Sequence, residues 1–275
     1  MGDFADKYGP WAVVVGASDG CGALFAERLA HEGVNVVLVA RREQVLQEVA
    51  AGIGERTGAA TKTLAVDLTD PDAAQAIVDA TADLEIGMLV YCAGGDPYYQ
   101  PFLSNPVSVA EALLQRNCLV LMRLCHHFAG KMVARGRGGI VNFSSGAALA
   151  GGPNMVAYGG TKAFDMVFTE GLWAELHDKG VDVLCLLLGK TDTPALRQLE
   201  HRRGQIASLD DVPPGAIPAE DVIVEAFDNL TNGPTLMVGD MMRMAEEVFK
   251  TLNRNDAVKM VIQAGAQAMG SAGEH

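Results

Sequence analysis

In the run Tyr158-Gly159-Gly160-Thr161-Lys162 a phenol and an ammonium stand four residues apart. On a helix those two positions share a face. A buried ammonium a few ångströms from a phenol favours the ionised form and draws its pKa down from about 10. Such a pair suits acid/base work on an alcohol/ketone couple near neutral pH. The spacing is common on ordinary helical faces, so its weight depends on the elements around it.

One such element lies near the start of the chain. Trp11-Ala12-Val13-Val14-Val15 is a short apolar, β-branched run that reads as a buried strand. Gly16-Ala17-Ser18-Asp19-Gly20-Cys21-Gly22 follows, and then an amphipathic stretch through Leu24, Phe25 and Leu29. Strand, glycine turn and helix are the setting of a dinucleotide site. There Gly16 permits the turn, Gly20 lets backbone N–H groups approach a pyrophosphate, and Gly22 allows close helix packing. The helix N-terminus favours the phosphate charge.

Two further polar groups stand upstream of Tyr158. The strand-like run 139–143 leads into Ser144-Ser145-Gly146 at its carboxyl end, where doubly wound sheets bind ligands. Asn117 lies inside a long helical pattern over 108–134.

Together these segments resemble the short-chain dehydrogenase/reductase family in its compact branch, over roughly residues 8–240. That family carries a Thr-Gly-x-x-x-Gly-x-Gly turn, an Asn-Asn-Ala-Gly turn and a catalytic Asn, Ser, Tyr, Lys set. Its serine sits thirteen residues before the tyrosine, which selects Ser145 over Ser144. The resemblance implies Tyr158 as acid/base, with Lys162 tuning it and binding the nicotinamide ribose. It implies Ser145 as the group bonding the substrate oxygen, and Asn117 as the holder of a linking water. It also implies cofactor contacts from Ser18, Asp19 and Cys21 in the glycine turn. Ala93 and Gly94 would contribute from the second turn, and Asp67 with Leu68 at the adenine. Gly189, Thr191 and Thr193 would flank the carboxamide.

The chain departs from the pattern at three places. Val15 stands for the motif's threonine, Tyr91-Cys92 for its two asparagines, and Leu188 for the proline of Pro-Gly-x-x-x-Thr. All three are expected to affect scaffold bracing more than chemistry.

Cofactor choice in such folds is made at the end of the second strand, where an acid bonds the ribose hydroxyls of NAD. Here Val39-Ala40 is followed by Arg41-Arg42. Two guanidinium groups in place of the acid suit a 2′-phosphate. The expectation is NADP(H), with NAD(H) second, and Asp19 is the one local objection. For the substrate, Asp96, Tyr98, Tyr99, Leu149, Met155 and Leu196 are pocket candidates by position, a mostly apolar set. They suggest a hydrophobic ketone or secondary alcohol of steroid-like, alicyclic or long-acyl type. A 3-oxoacyl carrier-protein reductase is the alternative, disfavoured because it would want a basic docking face. A catalytically silent dinucleotide-binding scaffold is the third reading, and the complete Asn/Ser/Tyr/Lys set argues against it.

With 275 residues the chain suffices for one large domain. A net charge of −13 disfavours nucleic acid or an anionic membrane as partner. No apolar run is long enough to span a bilayer, and the polar stretch 1–7 lacks a secretion signal. Five cysteines without paired spacing suggest reduced thiols and a cytoplasmic protein. Among them Cys21, in the glycine turn, is the one expected to be open to oxidation.

Apolar runs alternating with 3.6-residue periodicity predict a single-domain α/β, Rossmann-type doubly wound fold with a parallel seven-stranded sheet. Strands are expected near 11–15, 34–40, 61–66, 86–91, 139–143, 181–188 and 234–238. Helices are expected near 20–31, 43–56, 72–83, 108–134, 156–178 and 220–230. Residues 190–219 read as a proline-bearing substrate loop, and 240–275 as a helical extension with a packing stripe of Met241, Met244, Val248 and Leu252. Apolar positions on 108–134 and 156–178 (Met122, Leu124, Phe128, Phe164, Phe168 and Leu172) suggest a homodimer or homotetramer, since relatives pair these two helices.

Overall fold

Alternate side chains of the central strands drain into two separate cores, one on each face of the sheet. Ala12 and Val14 of β1 (Trp11–Val15) and Val36 and Leu38 of β2 (Asn35–Ala40) join one cluster. Val13, Val15, Val37 and Val39 join the other. Strands covered on both faces read as unbroken apolar runs, which is why they were visible in the sequence. The computed structural model describes residues 3–96 and 98–268. Met1, Gly2, Pro97 and 269–275, the last stretch of the expected tail, lie outside the described residues.

The remaining strands are β3 (Thr61–Ala65), β4 (Ile86–Tyr91), β5 (Gly138–Ser145), β6 (Val181–Leu188) and β7 (Thr235–Met237). They form a seven-stranded sheet in the order β3-β2-β1-β4-β5-β6-β7, with every pairing parallel. The order reverses between β1 and β4, so their carboxyl ends open a crevice at the switch point. A short helix α1 (Asp3–Tyr8) precedes β1. Helices α2 (Gly20–His31), α3 (Glu43–Thr57) and α4 (Ala73–Ala80) follow the first three strands. Helix α5 (Val107–Leu114) and helix α6 (Val120–Arg135) lie between β4 and β5, and α7 (Val156–Leu176) precedes β6. No helix among the described residues is long and apolar enough to cross a membrane.

Four segments differ from the sequence expectation. Helix α1 was not foreseen. It is held to β6 by Asp182, which accepts from the Tyr8 hydroxyl at 2.6 Å and pairs with Lys7 at 2.5 Å. The helix expected over 108–134 is broken by a π-helical turn, Gln115–Leu119.

Residues 190–219 contain a helix α8 (Pro194–Arg202). Two two-residue strands, Thr191–Asp192 and Ile217–Pro218, pair beside it. Thr193 caps α8 by accepting from Leu196 N–H at 3.3 Å, and Pro194 occupies the first turn. Both are helix-start signals, masked in the sequence by the surrounding prolines and glycines.

Helix α9 (Ala219–Asp228) leads to β7, after which the tail forms two helices, α10 (Asp240–Lys250) and α11 (Arg254–Ala268). The expected stripe on α10 faces outward, with Met241 67% and Met244 62% exposed. Met242 turns inward instead, onto Cys185 and Leu187. The periodicity marks an apolar face on this helix, but the packing contact is made by Met242 beside it.

Candidate active site

Helix α7 presents Tyr158 half-buried at its first turn and Lys162 beneath it, 3% exposed. The Lys162 ammonium lies 5.9 Å from the Tyr158 ring centroid. It donates to the Phe143 carbonyl of β5 at 2.8 Å and to Asp165 Oδ2 at 2.9 Å. Burial disfavours the Lys162 cation, but the Asp165 carboxylate and Tyr158 more than offset it, and the net shift of its pKa is upward. Burial pushes the Asp165 carboxyl up to about 6, against the pull of Lys162.

Asn117 sits in the π turn and is fully buried. Its Nδ2 donates to Thr161 Oγ1 at 2.8 Å and to the Gly94 carbonyl at 3.3 Å. That ties α7 to the turn after β4. The extra residue of a π turn re-aims the side chains on either side of it, here directing Asn117 inward. The turn is braced by two groups that sequence reading missed. The Tyr91 hydroxyl donates to the Arg116 carbonyl, while the Arg116 guanidinium donates to Gly95 O at 2.6 Å and to Asn117 Oδ1 at 3.1 Å. Tyr91, which replaces one of the amides expected at this point, thus supplies a brace of its own.

Ser144 and Ser145 end β5. The Ser144 hydroxyl is buried and donates to the Lys162 carbonyl at 2.9 Å. Ser145 is half-buried, and among the described residues its Oγ accepts from Ala147 N–H alone, at 3.2 Å, which leaves its proton to donate elsewhere.

Tyr158 lines an open cleft with Asp96, Tyr98, Phe102, Leu113, Asn154 and Met155 among its walls. Leu149 and Leu196, also expected there, stand elsewhere. Leu149 packs on the cluster formed by Cys185, Leu187 and Met242. Leu196 belongs to the first turn of α8. Tyr99 lies under the Arg203 guanidinium, 4.3 Å from its ring centroid.

The family model described as short chain dehydrogenase matches residues 10–204. The chain belongs to the short-chain dehydrogenase family. It is an NAD(P)-dependent dehydrogenase/reductase. A 7beta-hydroxysteroid dehydrogenase of Clostridium sardiniense is 33% identical over 259 residues, covering 93% of this chain and 95% of that protein. A structure solved in work on 7beta-hydroxysteroid dehydrogenase stereoselectivity has a TM-score of 0.83 at 29% identity, covering 94% of this chain and 98% of that one. A short-chain dehydrogenase from Sphingobium yanoikuyae in complex with NADPH has a TM-score of 0.73 at 29% identity, covering 89% and 96%.

Members of the family bind a nicotinamide dinucleotide, and the crevice of this dehydrogenase fits one. A Cβ at Gly22 would stand 2.1 Å from the Gly16 carbonyl oxygen, so only glycine lets α2 start this close to β1. A Cβ at Gly94 would stand 2.9 Å from Asn117 Oδ1 and 3.0 Å from Lys162 Nζ, so the second turn keeps a path open to the site. Gly20 lies against Thr193, which brings the β6 end onto the glycine turn.

At the β2 end, Arg42 pairs with Asp19 and donates to Ser18 Oγ at 3.0 Å. Arg41 is exposed beside it and acts on Asp67 electrostatically. Asp67 accepts from the backbone N–H of Thr69 at 2.9 Å and from its hydroxyl at 2.8 Å. The backbone bond leads the causes that hold its carboxyl below the usual value. Leu68 and Thr191 are buried, and Gly189 packs beside Met242.

Ala93 packs on the core cluster beneath the second turn, its N–H 2.8 Å from where a Gly16 Cβ would be. Lys190 pairs with the fully buried Glu200 at 2.6 Å and so fastens α8 to the end of β6. Cys21 departs from expectation. It is 6% exposed, and burial pushes its thiol up to about 12, so it lacks the thiolate that oxidation requires.

Proposed function

We propose that this enzyme is an NADP(H)-dependent oxidoreductase that interconverts a hydrophobic, steroid-like ketone and its secondary alcohol. The observation that carries the reading is Tyr158 at the wall of a cleft that sets Phe102, Val109, Leu113 and Met155 beside Asp96 and Asn154, with buried Lys162 one helical turn behind it. In this reading Tyr158 gives a proton to the carbonyl oxygen on reduction and takes one from the hydroxyl on oxidation. Ser145 donates to the same oxygen, where charge develops in the transition state. Lys162 holds a positive charge near the phenol, and Asn117 fixes the segment between Thr161 and Gly94. The nicotinamide, when bound, supplies or accepts the hydride. Residues 190–219 act as the substrate loop, with α8 as its ordered part.

NADP(H) over NAD(H) is supported by Arg41 and Arg42, which offer cations where an NAD site would hold a carboxylate. The NADPH complex of the Sphingobium relative agrees with this. A steroid substrate is supported by the 7beta-hydroxysteroid dehydrogenase relatives, which match nearly the whole chain. All five cysteines are free thiols, which suits a reducing compartment, and the reading places the enzyme in the cytoplasm.

The test is a steady-state screen of the purified protein with NADPH and NADH. The panel holds keto steroids with their 7β-hydroxy counterparts, bulky alicyclic ketones and 3-oxoacyl thioesters. NADPH-dependent turnover of a keto steroid, lost in Tyr158→Phe, is expected. Preference for NADH would overturn the cofactor reading, and selective turnover of 3-oxoacyl thioesters would overturn the substrate reading.

A further inference from the structure

Lys162 and Asp165 stand three residues apart on α7, so they share a face, and that face points into the protein. Their side chains are 4% and 1% exposed, and the ion pair between them is 2.9 Å long. The surroundings of Asp165 explain why a carboxylate there is unusual. Across from it are Tyr91 of β4, Cys118 of the π turn, Cys125 of α6 and Cys185 of β6. Lys162 is the only cation the structure sets against it among the described residues. An apolar side chain would cover the sheet at lower cost than a desolvated charge. The carboxylate therefore calls for a role beyond packing.

An ammonium has three N–H donors. At Lys162 one is spent on the Phe143 carbonyl and one on Asp165, both inside the protein. One remains for the side on which Tyr158 lies. Asp165 thus fixes the direction of the ammonium and places a negative charge behind it.

We propose that Asp165 is a positioning residue that orients Lys162 and screens its charge at Tyr158, so that the site passes from proton donor to proton acceptor at a higher pH than a lone ammonium would set. This rests on the assignment of Tyr158 as the acid/base above. The buried carboxyl titrates near pH 6, so the screen is in place at neutral pH and is withdrawn in mild acid. Lys162 is held as a cation while Asp165 is ionised, since that carboxylate is the first of the groups that offset the burial of the ammonium.

The experiment compares the full chain with Asp165→Asn, which keeps the shape, and Asp165→Leu, which fills the site without polarity. One readout is the pH dependence of kcat/KM for NADP⁺-dependent alcohol oxidation. The other needs neither cofactor nor substrate: the tyrosinate absorbance of each protein against pH, taken as the difference from the same protein carrying Tyr158→Phe. Both midpoints are expected to fall by about one pH unit in the two variants. A purely structural role for Asp165 would lower stability and leave the midpoints in place. Midpoints that stay put, or that rise because Lys162 loses its proton without its partner, would overturn the proposal. If Tyr158→Phe retained turnover, the acid/base assignment itself would fail. If it lost turnover while the Asp165 variants kept the wild-type midpoint, only this inference would fail.

Discussion

Ser144 and Ser145 differ by one position in β5, and a strand sends successive side chains to opposite faces. That step gives one hydroxyl to the scaffold and the other to the site. Ser145→Ala is expected to lower kcat about 100-fold with little change in melting temperature. Ser144→Ala is expected to cost about 1 kcal/mol of stability, the worth of one hydrogen bond, with a smaller loss of rate. Steady-state kinetics and thermal melts on the two variants separate these outcomes, and a larger kinetic loss at Ser144 would reverse the assignment. Tyr158→Phe removes the proton itself and should cost about 10²- to 10⁴-fold in kcat. At the cofactor end, Arg42 is shared between Ser18 and Asp19. Arg42→Ala should reduce the NADPH/NADH ratio of kcat/KM about 10-fold or more, since the cation proposed to meet the 2′-phosphate is removed.

Elements place these residues, and the π turn between α5 and α6 places Asn117. An uninterrupted α-helix over this stretch would turn Asn117 to another side. The turn is held from below by the Tyr91 hydroxyl on the Arg116 carbonyl and from the side by the Arg116 guanidinium on Gly95 O. Tyr91→Phe leaves that buried carbonyl without its partner. We expect a loss of about 1–2 kcal/mol in denaturant unfolding, together with a fall in kcat as Asn117 loses its register. Unchanged kcat at reduced stability would show that the turn holds its shape without Tyr91.

Across the whole molecule, burial and association set the balance. In the folded chain Asp165 is raised from 3.8 to about 6, so the native state holds this proton more tightly than the unfolded chain. Its contribution to stability is therefore full below about pH 4 and is lost as pH rises through about 6. Asp165→Asn should accordingly gain stability relative to wild type between pH 4 and pH 7, by up to about 2–3 kcal/mol. Carboxyls held low, such as Asp67 and Asp192, act in the opposite direction, but they are common to both proteins and cancel in the difference. Paired denaturation curves at the two pH values check the sign. Of the residues expected at a subunit contact, Leu124 and Phe128 are buried against the sheet, and Phe168 and Leu172 pack on the same core. Met122 at 38% exposure remains open, with Leu119 at the end of the π turn and Val167 on α7. We expect a dimer or tetramer formed through them, and Val167→Glu should shift sedimentation toward the monomer.

The sequence by itself determined the seven strands in their order, the glycine turn, and the placing of Ser145 at a strand end with Tyr158 and Lys162 one turn apart on a helix. These are local facts. A strand buried on both faces must be apolar throughout, a close helix approach must be glycine, and two groups that meet on one helical face stand three or four residues apart. Only the tertiary structure decided which residues complete the site. Asp165 stands within the motif helix, yet its weight comes from being sealed beneath Tyr91, Cys125 and Cys185, residues from three other elements. Arg116 and Tyr91 matter because a π turn brings a carbonyl to the Tyr91 hydroxyl, and Leu149 packs on Cys185, Leu187 and Met242 rather than in the cleft wall. Periodicity records which face of an element is covered, whereas contacts between distant segments are settled by how those faces pack.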